Sequence, residues 1–131
     1  MKKLIPLLLS ALMFTGCAET SNHQTNNYRS ITMDDAVSMM AKETGYIILD
    51  VRRPDEFSAG HIPNAINVSN ESIGTDEIPE LPEKDQLIMV YCRSGRRSKE
   101  ASEKLVKLGY TNIVEFGGIL DWKGEIVTGQ S

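Results

Sequence analysis

The stretch Tyr91-Cys92-Arg93-Ser94-Gly95-Arg96-Arg97-Ser98 decides how the chain folds, because it joins two segments of different periodicity. Residues 87–90, which precede it, are all apolar and predict a buried strand. The segment 99–108 follows it and carries alanine or leucine at 101, 105 and 108, the spacing of one helical face. This order places Cys92 at the carboxyl end of a buried strand and at the mouth of a tight loop.

The loop after Cys92 has the composition of an anion-binding site. Its backbone N–H groups can turn inward and join the free N–H groups of the helix start, and both favour negative charge. Its three arginines stay charged at any working pH, and a thiol in such a place ionises more readily than a free thiol. We therefore predict that Cys92 is a nucleophile. The predicted substrate-binding residues of the loop are Arg93, Ser94, Gly95, Arg96, Arg97 and Ser98.

The first sixteen residues are typical of a signal peptide. Lys2 and Lys3 precede an almost wholly apolar run at 4–14, which is shorter than the roughly 20 residues needed to span a bilayer. The next residues, Phe14-Thr15-Gly16-Cys17, resemble the lipobox of bacterial lipoproteins. That resemblance implies cleavage before Cys17, lipidation of Cys17, and export to the periplasmic or extracellular face of a bacterial cell envelope. The alternative is an ordinary secretory peptide cleaved after Ala18.

The cysteine count predicts a single working thiol. The chain has two cysteines, and lipidation would consume Cys17, so no intramolecular disulfide remains possible. An unpaired cysteine in an exported protein usually has a reactive purpose, which again favours Cys92 as a nucleophile. Residues 17–27 are polar without apolar periodicity and predict a flexible tether, while 28–131 predict one folded domain.

The charge distribution favours a small anionic substrate. The formal net charge of the 131 residues is −4, and loss of Lys2 and Lys3 with the signal peptide would make it −6. An acidic chain without a basic stripe excludes nucleic acid as a partner. Three of the six arginines nevertheless lie in the Cys92 loop, so the predicted pocket is locally cationic. No spacing of ligand residues predicts a metal site or a cofactor, and His23 stands without a partner pattern.

Alternating strands and helices predict an α/β fold, a single domain with a mostly parallel central sheet flanked by helices. Ligands of such sheets bind beyond the carboxyl ends of the strands, so Asp50 and Cys92 are expected at the same edge. The predicted elements are a helix capped by Thr32 and ending at Gly45, a strand at 46–51, a short helix from Pro54, a strand at 65–68, a mostly irregular segment at 69–85, a strand within 111–116 and a short helix at 119–122.

Five groups of residues at consistent spacing resemble the single-domain rhodanese family over roughly 28–127. They are Leu49-Asp50-Val51-Arg52, Glu56-Phe57, the run from Gly60 to Asn67, the Cys92 loop, and Gly117-Gly118 with Trp122. The resemblance implies a rhodanese-like fold and a sulfurtransferase. Its loop cysteine, here Cys92, would accept a sulfane sulfur from thiosulfate or from a polysulfide or persulfide. The resulting persulfide would pass the sulfur to an external thiophilic acceptor, because no second free cysteine exists.

Two other functions compete with this interpretation. Phosphatases of the rhodanese-like fold separate the cysteine and the arginine by five residues, whereas four residues lie between Cys92 and Arg97. This shorter spacing favours sulfur over phosphate. A membrane-tethered binding module is disfavoured because interaction domains of this fold typically lack the cysteine.

For several charged or polar residues outside the loop, we predict structural rather than chemical roles. Asp50 and Arg52 could support the site. We favour instead a structural role in a set of ion pairs that holds the turn, with Arg52 and Glu56 at i, i+4 spacing. His61 is interpreted as a turn residue and not as a general base. Asn64 stands where many rhodaneses have glycine, and asparagine tolerates the positive φ that such a turn requires.

Overall fold

A five-stranded sheet carries the Cys92 loop at the carboxyl ends of its strands. The computed structural model describes residues 27–130, and its strands are ordered β1-β5-β4-β2-β3 with every neighbouring pair parallel. The predicted α/β fold with a parallel sheet flanked by helices is thus confirmed. The strands are β1 (Arg29–Ser30), β2 (Ile47–Asp50), β3 (Ile66–Asn67), β4 (Ile88–Cys92) and β5 (Ile113–Gly118); the helices are α1 (Met33–Lys42), α2 (Pro54–Ala59) and α3 (Arg96–Lys107), with 3₁₀ turns at Asn70–Ser72 and Ile119–Asp121.

Strand β4 lies at the centre of the sheet, and all five of its residues are buried. Its alternate side chains face opposite sides, as the strand period requires. Val90 and Cys92 pack with α3, in the core that contains Ala101 and Leu105. Tyr91 packs on the other side, in the core that contains Phe57 of α2. Both faces of β4 are therefore fixed by helices, and Cys92 lies on the side of α3.

Helix α3 begins earlier than the predicted residue 99. Gly95 occupies its N-cap with φ +124°, a left-handed conformation that glycine adopts without strain, and the helix starts at Arg96. Arg96, Arg97 and Ser98 consequently belong to the first helical turn and not to the loop. The apolar periodicity missed this turn because its three residues are all polar.

Two other local predictions are confirmed, whereas the predicted end of the first helix at Gly45 is wrong, because α1 ends at Lys42. The Thr32 hydroxyl accepts a hydrogen bond from the Asp35 amide at 3.0 Å and caps α1. Asn64 adopts φ +72°, the conformation expected for its turn. Strand β1 was not predicted, since its two residues are exposed and carry no pattern.

The predicted signal peptide and Cys17, with nearly all of the predicted tether, lie outside the described residues. Within 27–130, no helix has the length and apolar character needed to cross a membrane. In the same range, no three His, Cys, Asp or Glu side chains come together as a metal site would require.

Candidate active site

The thiol of Cys92 lies at the base of a loop that closes over it. Cys92 is 1% exposed, and the Gly95 amide donates a hydrogen bond to its Sγ at 3.0 Å. The Ser98 hydroxyl, in the first turn of α3, lies 3.5 Å from the same sulfur. The inward turn expected of the other backbone N–H groups of the loop stays a prediction. Cys92 is the one cysteine in residues 27–130, and its thiol is free.

A pocket of about 340 Å³ opens over the thiol. Four of the predicted loop residues line it with Cys92, whereas Gly95 and Ser98 lie buried beneath. Two further residues line the pocket, the exposed Arg53 and Glu71. The sequence did not point to either of them. The lining residues are Arg53, Glu71, Cys92, Arg93, Ser94, Arg96 and Arg97.

Carboxylates neutralise most of the pocket's arginines. Arg96 pairs with Glu100 at 2.9 Å on the exposed face of α3. Arg53 pairs with Asp55 at 3.2 Å, an interaction that raises the pKa of Arg53 and lowers that of Asp55. Arg93 is the pocket arginine that has no carboxylate partner among residues 27–130. The pocket is therefore less cationic than the sequence predicted, and its available positive charge is concentrated on Arg93.

Arg97 is held by Glu56 of α2. Its Nη1 and Nη2 donate to the two carboxylate oxygens at 2.8 and 3.2 Å, and both side chains are mostly buried. The amide of Arg53 donates to the same carboxylate at 3.0 Å. These hydrogen bonds, with that from Arg97 as the largest cause, lower the pKa of Glu56 from 4.5 to about 2. Glu56 thus fixes the guanidinium that follows the Cys92 loop.

Asp50 and Arg52 form a buried ion pair at the edge of the sheet. Arg52 Nη2 lies 2.7 Å from Asp50 Oδ2, and the Arg52 amide donates to Oδ1 at 2.9 Å. Arg52 also donates to the Gly60 carbonyl at 2.6 Å. The expected i, i+4 pair between Arg52 and Glu56 is replaced by this one, because Arg52 precedes α2 and lacks helical geometry.

The Asp50–Arg52 pair lies beneath the site and does not line the pocket. Asp50 is paired with Tyr91 across the β2–β4 ladder, and Tyr91 directly precedes Cys92. Burial is the largest cause that raises the pKa of Tyr91, and Asp50 adds to it, so the phenol stays neutral. Its hydroxyl accepts a hydrogen bond from the Ile62 amide at 3.1 Å. The pair therefore holds the strand end that carries the thiol.

Glu115 is a buried carboxylate behind the thiol, and no pattern in the sequence pointed to it. It is 1% exposed and lies on β5, next to β4. Its Oε1 accepts hydrogen bonds from the Ser98 hydroxyl at 2.7 Å and from the Gly117 amide at 2.8 Å. Its Oε2 accepts one from the Ser30 hydroxyl of β1 at 2.9 Å. Only the packing of three elements brings these groups together.

Gly118 allows β5 to approach the Cys92 loop closely. A Cβ at this position would overlap the backbone of Arg93 and Ser94. Gly118 pairs with Cys92 across the β4–β5 ladder, where the register shifts. The Leu120 amide also donates to the Arg93 carbonyl at 3.2 Å and fixes the start of the loop. The second glycine of the Gly117-Gly118 motif is thus required because a side chain at this position would overlap the backbone of the loop.

Together, the parallel sheet and the strand–loop–helix that places Cys92 at an arginine-lined pocket define an α/β domain with a free cysteine at its candidate site. Residues 32–125 match the family of the rhodanese-like domain. The chain therefore belongs to the rhodanese family.

Several of the similar proteins are named sulfurtransferases. The thiosulfate sulfurtransferase PspE of Escherichia coli is 34% identical over 73 residues, which cover 56% of this chain and 70% of PspE. The putative mitochondrial thiosulfate sulfurtransferase of Schizosaccharomyces pombe is 38% identical over 92 residues, which cover 61% of this chain and 65% of that protein. Such relatives support sulfurtransferase activity in general.

Solved structures of rhodaneses have the same fold. A rhodanese with anions from E. coli superimposes with a TM-score of 0.59 at 32% identity, covering 64% of this chain and 99% of that chain. A rhodanese-related protein from Thermoplasma volcanium gives a TM-score of 0.63 at 34% identity, covering 76% and 98%. The rhodanese-like fold that the sequence resemblance implied is thereby confirmed.

Proposed function

We propose that the protein moves a sulfane sulfur from thiosulfate, or from a polysulfide or persulfide, to an external thiophilic acceptor through a persulfide on Cys92. The observation that carries this proposal is the position of Cys92. Its Sγ accepts a hydrogen bond from the Gly95 amide and faces the pocket that Arg93 lines. An anionic sulfur donor fits a small pocket with one available guanidinium better than a polyanion does.

The proposed reaction has two steps. The Cys92 thiolate attacks the outer sulfur of thiosulfate, so that a new S–S bond forms, the old S–S bond breaks and sulfite leaves with the electron pair. An acceptor such as cyanide then attacks the terminal sulfur of the persulfide and leaves as thiocyanate, and the Cys92 thiolate is regenerated. The Gly95 amide stabilises negative charge on the sulfur in both steps. Kinetics should be of the ping-pong type, as in other covalent relays.

Intact-protein mass spectrometry tests the proposal. Incubation with thiosulfate or a polysulfide should add one sulfur atom to the native protein and none to Cys92→Ser, and cyanide should remove it. The same preparations are assayed for release of phosphate from an aryl phosphate. Phosphate release without any sulfur adduct would overturn the assignment in favour of a phosphatase, in which the Arg97 guanidinium would have to leave Glu56 to bind phosphate. If neither a sulfur adduct nor phosphate release is detected, the result would favour the tethered binding module.

We also propose that the domain works outside the cytoplasm of a bacterium, attached to the membrane through lipid on Cys17. The basic start, the short apolar run and the cysteine after Gly16 support this location. Two or three acyl chains would hold the protein firmly, at about 0.8 kcal/mol for each buried CH₂. Mass spectrometry of the mature amino-terminal peptide tests it: the peptide should begin at a lipid-modified Cys17. A soluble protein beginning at Glu19 would contradict the anchor.

A further inference from the structure

Buried beside the proposed nucleophile lies a carboxylate that the sulfur-transfer steps do not use. Glu115 and Cys92 are each 1% exposed. Ser98, which is fully buried, lies between them, with its Oγ 2.7 Å from Glu115 Oε1 and 3.5 Å from Cys92 Sγ. The three side chains therefore form a continuous line from the sheet to the reactive sulfur.

The Ser98 hydroxyl has a single proton to donate. Its possible acceptors are Glu115 Oε1 at 2.7 Å, the Gly95 carbonyl at 2.9 Å and the Gly117 carbonyl at 3.4 Å. An ionised carboxylate at the shortest distance is the strongest of the three acceptors. With the proton directed to Glu115, the Ser98 oxygen presents a lone pair toward Cys92 and can accept the thiol proton.

Ionising Cys92 beside a charged Glu115 would place two anions in a buried site, which is costly. Moving the thiol proton to Glu115 avoids this cost, because the total charge of the pair stays at one negative unit. The charge simply moves from the sheet toward the loop, where the Gly95 amide faces the sulfur.

We infer that Cys92, Ser98 and Glu115 form a proton relay that ionises the thiol without releasing its proton to solvent. The S–H bond of Cys92 breaks as an O–H bond forms on Ser98, while the original O–H bond of Ser98 breaks as one forms on Glu115 Oε1. The reverse shift returns the proton to Cys92 between turnovers. The inference rests on the proposed function in taking Cys92 as the nucleophile.

Several other charged or polar groups lie near the relay, and none of them changes its total charge of one negative unit. Lys99 Nζ lies 3.7 Å from Glu115 Oε1, but its side chain is 54% exposed and water screens it. The Ser30 hydroxyl and the Gly117 amide are neutral donors to Glu115. Around Cys92, the pocket contributes Glu71 and the arginines 53, 93, 96 and 97. Three of these arginines are paired with carboxylates, whereas Arg93 has no carboxylate partner within residues 27–130 and favours negative charge on the sulfur, which is the direction of the transfer.

The pH dependence of Cys92 alkylation tests the relay without using a sulfur donor. Neutral iodoacetamide reacts with the native full chain, and the modified Cys92 peptide is quantified by mass spectrometry. A thiol that shares one proton with a carboxylate has a thiolate fraction that is set by the two sites and not by pH. We expect a nearly constant rate between about pH 5 and pH 7.

The substitution Glu115→Gln preserves the shape and removes the basic oxygen. The relay predicts that the plateau disappears and that the rate falls about tenfold for each pH unit below neutrality, so that the variant is slower than the native protein at pH 5. A purely electrostatic Glu115 predicts the opposite, because removing a neighbouring anion makes the thiolate easier to form. A variant as fast as the native protein at pH 5, or faster, would overturn the relay.

A second variant keeps the test decisive if Glu115→Gln does not fold. Ser98→Ala removes the middle of the relay and should also abolish the plateau. Its matched control is Ser102→Ala, one turn further along α3, where a buried hydroxyl has no hydrogen-bond partner among residues 27–130. This variant should keep the native pH profile. An unchanged plateau in Ser98→Ala would contradict the relay. Persulfide formation in the native protein, measured separately, decides the proposed function itself.

Discussion

The carboxylate of Glu56 accepts two hydrogen bonds from the guanidinium of Arg97, of 2.8 and 3.2 Å, and thereby joins α2 to the first turn of α3. The two residues are 41 positions apart in the sequence. Both are largely shielded from solvent, with side chains 15% and 17% exposed. The pair thus closes one side of the pocket and fixes the turn that follows the Cys92 loop.

We predict that Glu56→Gln lowers the free energy of unfolding by about 1 to 2 kcal/mol at neutral pH, because a charge-assisted, two-point hydrogen bond is lost. The loss should depend on pH. The pKa of Glu56 is about 2 in the folded protein and 4.5 in its reference state. A lowered pKa stabilises the fold above the unfolded value, and this contribution fades as the pH falls from 4.5 toward 2. Denaturant unfolding at several pH values measures it.

The matched control for that experiment is Glu103→Gln, an exposed residue of α3 outside the pocket. It should change stability by less than about 0.5 kcal/mol at every pH. A gap between native protein and Glu56→Gln that widens below pH 4 would contradict the assigned role of the ion pair.

We predict that Gly118→Ala abolishes sulfur transfer while leaving most of the sheet intact. The added Cβ would overlap the backbone at Arg93 and Ser94, so the loop has to move away from β5. The thiol would then lose its alignment with the Gly95 amide. Gly74→Ala is the control, because a Cβ there meets no atom of the described part of the chain within 4 Å. Persulfide formation and circular dichroism, measured on both variants, separate loss of the loop from loss of the fold.

We predict that Asp50→Asn destabilises the protein by about 3 kcal/mol, since removing one partner leaves the Arg52 charge buried and uncompensated. Arg52 is 6% exposed and Asp50 is fully buried. Glu77→Gln removes an exposed partner of Lys84 and should cost less than about 1 kcal/mol. Chemical denaturation of both variants gives the comparison. Equal losses would show that burial does not set the strength of the Asp50 pair.

The sequence was informative wherever a local pattern determines the structure. The apolar run before Cys92 predicted the central strand, the spacing of Ala101 and Leu105 predicted α3, and Thr32 predicted the cap of α1. Each of these features depends on neighbours within a few residues, so periodicity and capping chemistry reveal it.

Long-range pairs could not be predicted in this way. Spacing suggested Arg52 with Glu56, yet the fold pairs Arg52 with Asp50 and Glu56 with Arg97. Glu115 stands in an otherwise apolar strand, and the hydroxyl groups that satisfy it come from β1 and α3. A buried charge takes whichever partners the packing supplies, and packing is set by the topology of the sheet and not by sequence separation.

Arg93 differs from the other pocket arginines in having no carboxylate partner within residues 27–130, and this difference predicts how an anionic donor binds. We expect Arg93→Ala to raise the KM for thiosulfate about tenfold, the loss of one charge-assisted contact worth about 1.4 kcal/mol. Arg96→Ala is the matched control. Arg96 is already paired with Glu100 on the exposed face of α3, so its removal should change KM less than threefold. Steady-state kinetics at two salt concentrations complete the test, because added salt should weaken donor binding in the native protein more than in Arg93→Ala. Equal effects of the two substitutions would show that the ion pairs do not decide which arginine binds the donor.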